Sequence, residues 1–137
     1  MIVQVTGDRN WRDALVIYSV VAEIADTHDA TLRSGDAMGA DIIADVCAQI
    51  HGWKVERYPA EWKKFGPSAG PKRNQLMVDL EPKADLAIAF HPDLGKSKGT
   101  KDMLMRCLNN DIKSFLFSGG RFDRKSLDEL RSYVEGL

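Results

Sequence analysis

The stretch Ala84–Phe90, ADLAIAF, constrains the fold of this chain more than any other. A run that is nearly all apolar suits a central strand of a parallel sheet, where helices cover both faces and no side chain has a wet side to turn to. The neighbouring sequence supplies those helices. Met1–Thr6 (MIVQVT) is β-rich and ends in Gly7, and Asp13–Asp26 then carries Leu15, Ile17, Tyr18, Val21, Ala22 and Ile24 or Ala25 at helical spacing. The unit repeats as a strand over Ala30–Ser34, broken by Gly35, and an apolar helix over Ala40–Gln49 that closes near Gly52. Trp53–Tyr58 alternates as a strand and stops at Pro59.

Ala60–Gly70, with Gly66, Pro67 and Gly70, reads as a long surface loop, and loops of that length inside a compact domain are often functional. Pro71 is suited to open the next helix at its first turn, where a missing N–H costs nothing; Gln75, Leu76, Met77 and Leu80 continue it and Pro82 ends it. After ADLAIAF come a polar loop over His91–Lys98, a helix over Gly99–Asn109 with Met103, Leu104, Cys107 and Leu108, and a fifth strand over Ile112–Phe117. Gly119 and Gly120 release the chain into a last helix, Asp123–Leu137, with Leu127, Leu130 and Tyr133 or Val134 on one stripe. Alternating strands and helices predict a single Rossmann-like α/β domain over residues 1–137 in three layers. Right-handed crossovers around a central first strand give the five-stranded parallel order 3-2-1-4-5.

The 137 residues suffice for one such domain. Nineteen basic residues against 20 acidic ones leave a formal charge of −1, so no global field draws the protein to nucleic acid or an anionic membrane, and any anion site is local. No apolar run approaches the roughly twenty residues of a membrane-spanning helix. Cys47 and Cys107 stand among apolar helix residues without CxxC spacing, and no secretory leader precedes them, which predicts buried reduced thiols and a cytoplasmic protein. His28, His51 and His91 lie far apart and show no metal spacing, so we expect no metal. Walker A, GxGxxG, GxSxG and HExxH patterns are also missing, and we expect no cofactor.

In a sheet of this order the loops at the carboxyl ends of the strands line one crevice beside the switch in strand order. Three of them are marked by glycine: Thr6-Gly7-Asp8-Arg9, Ser34-Gly35-Asp36-Ala37-Met38-Gly39-Ala40-Asp41, and the loop ending Lys98-Gly99-Thr100. Glycine admits a close anion, and the helix that follows adds unpaired N–H groups and the positive end of its dipole. Each loop alone is equally well a simple chain reversal, but three together suggest one phosphate-bearing ligand. The second has the strongest form, with two glycines bracketing the turn and Ala40 allowing close packing.

Asp8 and Asp41 are ligand-hydroxyl acceptors or cap carboxylates, with the cap favoured for Asp41. Arg9 is a phosphate contact or a solvated loop arginine, and Thr100 caps its helix, offers its hydroxyl to a phosphate, or both. Lys72, Arg73 and Asn74 fall in a helix's first turn, where cations call for an offsetting anion, although a solvated basic turn is as good an account. Trp62, with Lys63, Lys64 and Phe65, either lids the crevice and stacks on a base or anchors the loop.

TGDRNW (Thr6–Trp11), SGDAMGAD (Ser34–Asp41), YPAEW (Tyr58–Trp62), GPKRN (Gly70–Asn74), ADLAIAF and KGT (Lys98–Thr100) together resemble the SLOG superfamily. This Rossmann-like group takes in LOG-type nucleotide hydrolases and DNA-processing protein A, and the match is nearest its small YspA-like, cpYpsA-related branch. The motifs span about residues 1 to 117, leaving the terminal helix outside. The resemblance implies a nucleotide or nucleotide-derived ligand held by Gly7, Asp8, Arg9, Ser34, Gly35, Gly39, Asp41, Arg73, Asn74, Gly99 and Thr100. It implies homo-oligomers as a common state and phage or mobile-element genomes as a frequent setting.

LOG-type enzymes cut the N-glycosidic bond of a nucleoside monophosphate with an arginine at a helix start and a glutamate after a PGGxGT loop. Here Arg73 matches the arginine, but GKSKGTKDM offers only Asp102, one methylene shorter. A binding or sensing domain is therefore the first expectation. Next comes a phosphoribohydrolase with Arg73 on the phosphate and Asp102 or Asp41 stabilising oxocarbenium charge. The last is single-stranded DNA binding along Arg9, Lys63, Lys64, Lys72 and Arg73, which the near-neutral charge disfavours.

Overall fold

The computed structural model describes residues 1–118 and 124–137. Five parallel strands, β1 (Ile2–Gly7), β2 (Thr31–Ser34), β3 (Lys54–Arg57), β4 (Leu86–Phe90) and β5 (Ser114–Phe117), lie in the order β3-β2-β1-β4-β5. This is the order expected from the sequence, and the fold is Rossmann-like α/β. All five residues of β4 are buried, as its composition requires. The expected turn at Gly119 and Gly120 and the start of the last helix at Asp123 lie outside the described residues.

The strands alternate their side chains between two faces. Val3 and Val5 of β1 join a core with helices α1 (Ala14–Ala25), α2 (Ala40–Ile50) and α6 (Arg124–Glu135). On the opposite face Met77 and Val78 of α4 (Ala69–Asp79) pack with Ala87 and with Met103 and Cys107 of α5 (Gly99–Asn109). Gln4, between the two valines, points to this second face and donates to Met103 Sδ at 2.9 Å. Asp13 caps α1 by accepting from Val16 N, and Ser97 Oγ closes the first turn of α5 by accepting from Thr100 N and Lys101 N.

Two local expectations are corrected. Residues 60–70 are not an open loop: a short helix α3 (Trp62–Phe65) passes through a 3₁₀ turn at Gly66–Ser68 straight into α4. Gly66, at φ +58, ends α3, and Pro67 and Pro71 fall early in their turns, where the helix needs no N–H from them. Pro71 is thus the third residue of α4, and Lys72 and Arg73 lie beyond its first three positions, away from the strongest positive end of the dipole.

The second correction concerns helix faces. α1 buries Val16, Ile17, Val20, Val21 and Ile24 and leaves Leu15 and Tyr18 outside, while Leu76 of α4 and Leu108 of α5 are also exposed. No helix among the described residues is long and apolar enough to cross a membrane.

Candidate functional site

A cleft opens at the carboxyl edge of the sheet, where the chain leaves the neighbouring strands β1 and β4 toward opposite faces, into α1 and α5. Its inner chamber, about 250 Å³, is walled by Thr6, Gly7, Asp8 and Arg9 from the end of β1, Asp41 from α2, Arg73 and Asn74 from α4, and Gly99 and Thr100 from α5. Its outer chamber, about 550 Å³, is bounded by Trp62, Pro67, Pro71 and Asp102. Arg9, Arg73, Asn74, Lys98 and Gly99 line both, so the two are one continuous cleft. Asn10, Ala37, His91, Ser97 and Lys98 also contribute wall; of these the sequence reading singled out none as a contact, although Lys98 stands in the KGT motif.

The glycines have different duties. A Cβ on Gly7 would stand 2.5 Å from Ala40 Cβ and 2.6 Å from Phe90 O, so glycine is needed there for α2 to start against β1 and β4. Gly39 has φ +76, and a Cβ would collide with the carbonyl oxygens of Asp8 and Arg9. The same contact is sealed by a hydrogen bond from Ala40 N to Asp8 O of 3.1 Å. Gly39 and Ala40 therefore join the second loop to the first from behind and do not face the cleft. Gly99 differs: a Cβ would meet nothing within 4 Å. It begins α5 facing open space, which leaves room for a ligand to approach the backbone closely.

Ser34, Gly35 and Asp36 also stay behind the wall. Ser34 Oγ accepts from Asp36 N at 3.0 Å and holds Asp36 at φ +56, a conformation rare for non-glycine residues. Gly35 O accepts from Arg73 Nη1 at 2.6 Å, while Tyr58 O receives the same nitrogen at 3.3 Å and Asn74 Oδ1 takes Arg73 Nε at 2.9 Å. A Cβ on Gly35 would displace this guanidinium. Arg73 thus bridges β2, β3 and α4 and presents charge to both chambers. Burial pulls its pKa below the ordinary value; Asp41 works against this, and the positive charge of Arg9 adds to it.

Asp41 is the most perturbed carboxylate of the cleft. It is 4% exposed, its Oδ2 accepts from Ala37 N at 3.3 Å, and its Oδ1 is buried without a hydrogen-bond partner. Burial pushes its pKa up to about 6, against the backbone N–H groups of Ala37 and Gly35 and the charge of Arg73, which lower it. Asp41 does not cap α2, as favoured from sequence; Gly39 holds the cap position and the carboxylate reaches back to the preceding loop. Asp8 likewise caps no helix and accepts from Asn10 N at 3.0 Å, tightening its own turn. Thr100 is not the cap of α5 either: Lys98 holds the cap position, and Ser97 Oγ, one residue further out, accepts from the N–H groups of Thr100 and Lys101.

Asp102 is tied down. Its Oδ2 accepts from Asn74 Nδ2 at 2.9 Å and Arg106 Nε at 2.8 Å, and Arg106 continues to Gln75 Oε1 at 2.7 Å. Burial would raise its pKa, but these hydrogen bonds outweigh it and hold the carboxylate below its usual range. At the mouth, the Arg9 guanidinium lies 5.5 Å from the centroid of the Trp62 ring, and Gly70 passes beneath that ring so closely that a Cβ would stand 3.2 Å from it. Lys64 and Lys72 gather instead on Phe65, at 5.0 and 4.0 Å. Among the described residues no group of His, Cys, Asp or Glu is placed to hold a metal ion.

A cleft of loops and helix starts at the carboxyl edge of a 3-2-1-4-5 parallel sheet lies where Rossmann-like proteins as a class bind their ligands. Within that class, residues 1–65 match the model of the YspA, cpYpsA-related SLOG family, so the resemblance drawn from the motifs holds over β1 to α3. The X-ray structure of DNA processing protein A from Streptococcus pneumoniae shares the fold, with a TM-score of 0.68 at 18% sequence identity. The alignment covers 98% of this chain and 55% of that one, so this chain spans about half the length of that protein. No curated protein matches the sequence.

Proposed function

We propose that residues 1–137 act as one Rossmann-like domain in the cytoplasm that binds a nucleotide or nucleotide-derived molecule in this cleft. The phosphate lies in the inner chamber against Gly99 and Thr100, facing Arg9, Arg73 and Lys98, and the base lies in the outer chamber against Trp62 and the two prolines. The observation that carries the reading is Gly99: no packing contact calls for glycine there, yet it begins a helix between three cations. The free Oδ1 of Asp41 serves as acceptor for a ligand hydroxyl. Ser34, Gly35, Asp36, Gly39 and Ala40 act indirectly, by holding Arg73 and the first loop in place.

The test is calorimetric titration with nucleoside mono- and diphosphates, on the wild type and on Gly99→Ala. The variant is expected to melt as the wild type does, since its methyl group meets nothing, and to bind at least about tenfold more weakly, a loss of roughly 1.4 kcal/mol. Absence of binding by every nucleotide, or equal affinity in the variant, refutes the reading.

A second reading, cleavage of the N-glycosidic bond, is favoured by Asp41, which lines the cleft with its Oδ1 free of any hydrogen-bond partner and, with a pKa near 6, is ionised at neutral pH. On that reading Asp41, and not Asp102, stabilises the developing positive charge, because the Asp102 carboxylate is already engaged by Asn74 and Arg106. Release of free base from a nucleoside monophosphate, lost in Asp41→Asn and retained in Asp102→Asn, is the expected signature. Single-stranded DNA binding is disfavoured: Lys64 and Lys72 cluster on Phe65, and Lys72 lines a different cavity from the cleft.

A further inference from the structure

His91 stands in the wall of the inner chamber, immediately after Phe90 at the end of β4. Its own N–H donates to Phe117 O at 3.1 Å, which ties the backbone there to β5. Phe90 belongs to the core with α1 and α6, so the alternation of β4, carried one residue further, turns His91 to the opposite face, where α5 begins. The ring is held by a turn, because the Asp93 N–H donates to His91 Nδ1 at 3.0 Å. A ring nitrogen that accepts a hydrogen bond carries no hydrogen, so the imidazole is neutral with its hydrogen on Nε2. Nε2 has no hydrogen-bond partner among the described residues.

The chamber contains its own comparison. At the end of the neighbouring strand β1, Asp8 closes the same kind of turn, its Oδ1 accepting from Asn10 N, two residues on, at 3.0 Å. The two turns meet where Asp8 N donates to Phe90 O at 2.8 Å. Closing such a turn takes one short acceptor, which aspartate or asparagine supplies. Histidine supplies that acceptor and also a hydrogen, carried out to the far side of a rigid ring.

We propose that His91 is a ligand contact, a neutral donor that gives its Nε2–H to an oxygen of the anionic group held in the inner chamber. This rests on the chamber being the phosphate site and adds a residue to it. At about 250 Å³ the chamber has the room of about eight waters, so a phosphate lying against Gly99 and Thr100 keeps its other oxygens close to the rest of the wall. Phosphate oxygens only accept, and a donor without a protein acceptor is what meets them. Lys98 brings charge on a flexible stem, whereas His91 brings direction, since the turn has already fixed its ring and little freedom is lost on binding.

Calorimetric titration of the whole chain with inorganic phosphate and with nucleoside monophosphates, on the wild type, His91→Asn and His91→Gln, tests it. Asparagine keeps the turn, its Oδ1 accepting from Asp93 N as Asp8 does from Asn10 N, but its amide nitrogen stops short of the place of Nε2. Glutamine reaches that place with an N–H. The asparagine variant is expected to melt with the wild type and to bind both probes at least about tenfold more weakly, and glutamine to recover most of the loss. In the wild type, the imidazole nitrogen resonances of His91 are expected to show the hydrogen on Nε2 and to move when phosphate is added, a readout that needs no variant. Wild-type affinity in the asparagine variant, glutamine binding as weakly as asparagine, or a ring with its hydrogen on Nδ1 would overturn the contact and leave nucleotide binding untouched. Phosphate binding that depends on His91, with no nucleotide bound, would uphold the contact and refute the nucleotide; binding of neither probe would refute both.

Discussion

Replacing Asp41 with Asn should stabilise the protein at neutral pH and leave it unaltered in acid. In the unfolded chain this carboxyl titrates near its ordinary 3.8; in the fold, burial raises it to about 6 despite the Ala37 and Gly35 N–H groups and Arg73. A carboxyl whose folded pKa is raised binds its proton more tightly in the native state. Its contribution is therefore whole below pH 3.8 and is lost as pH rises through 6, where the native state must hold a buried carboxylate with one oxygen unpartnered. The span from 3.8 to about 6, at 1.36 kcal/mol per pKa unit, amounts to about 3 kcal/mol. Because Asp41 is only 4% exposed, solvent screening takes little from this figure. Asparagine keeps the shape, can still accept from Ala37 N, and does not ionise.

Urea unfolding of both proteins from pH 4 to pH 7.5 isolates the residue, since every other titrating group is common to the two and cancels in the difference. That difference should be close to zero at pH 4, rise through pH 5 to 6, and level off at about 3 kcal/mol, or roughly 10 °C in melting temperature. A flat difference, or an asparagine variant that is the less stable of the two at pH 7, would refute the assignment of burial as the dominant influence on Asp41. A confirmed gain would mean that the chain keeps a carboxylate which costs it stability beside a cleft, a pattern characteristic of functional sites.

Gly39→Ala should lower stability by at least about 2 kcal/mol, through the positive φ and the collision with the Asp8 and Arg9 carbonyls, as read by thermal melting. A melting temperature within a degree of the wild type would refute the packing role given to this glycine. Asn74→Ala should cost roughly 1 to 3 kcal/mol, because Asp102 and Gly99 lose a buried donor, and urea unfolding checks it. Burial raises the pKa of Cys47 and pushes that of Cys107 up to about 12. Neither thiol should react with a disulfide reagent at pH 8 until the protein is denatured, and rapid labelling of the native state would contradict the described burial.

How far the sequence could be read depended on what kind of constraint each residue carried. Strand order was legible because glycine closes β1 and follows β2, while β4 is apolar throughout, and these local signals, taken with the handedness of crossovers and a central first strand, give the order found. Helix faces were harder. In α1, ALVIYSVVAEIA, so many residues are apolar that a stripe through Leu15 and Tyr18 and one through Val16, Val20 and Ile24 fit the periodicity alike, and only packing on β1 and α2 selects the second. The segment 60–70 misled for another reason: glycine and proline mark the ends of turns, and here several short helical turns follow one another so closely that their end signals read as one loop.

The same distinction runs through the cleft. That three glycine loops share an edge followed from topology, but what each glycine does there is a matter of the atoms opposite it. Gly7 and Gly39 face backbone or Cβ atoms of other loops and Gly99 faces space, and no spacing in the sequence encodes that difference. Ser97 carried a legible signal, a serine preceding a helix, yet the neighbouring Gly-Thr pair suggested Thr100 as the cap. Asp102 and Asp41 show the largest gap. From their places in the chain Asp102, near the position of the family's glutamate, was the first candidate for stabilising positive charge and Asp41, favoured as a cap, the second. The fold separates them by giving Asp102 one donor from its own helix, Arg106, and one from α4, Asn74, while an oxygen of Asp41 is left with none; the contact from α4 is the one that no local pattern in the sequence announces.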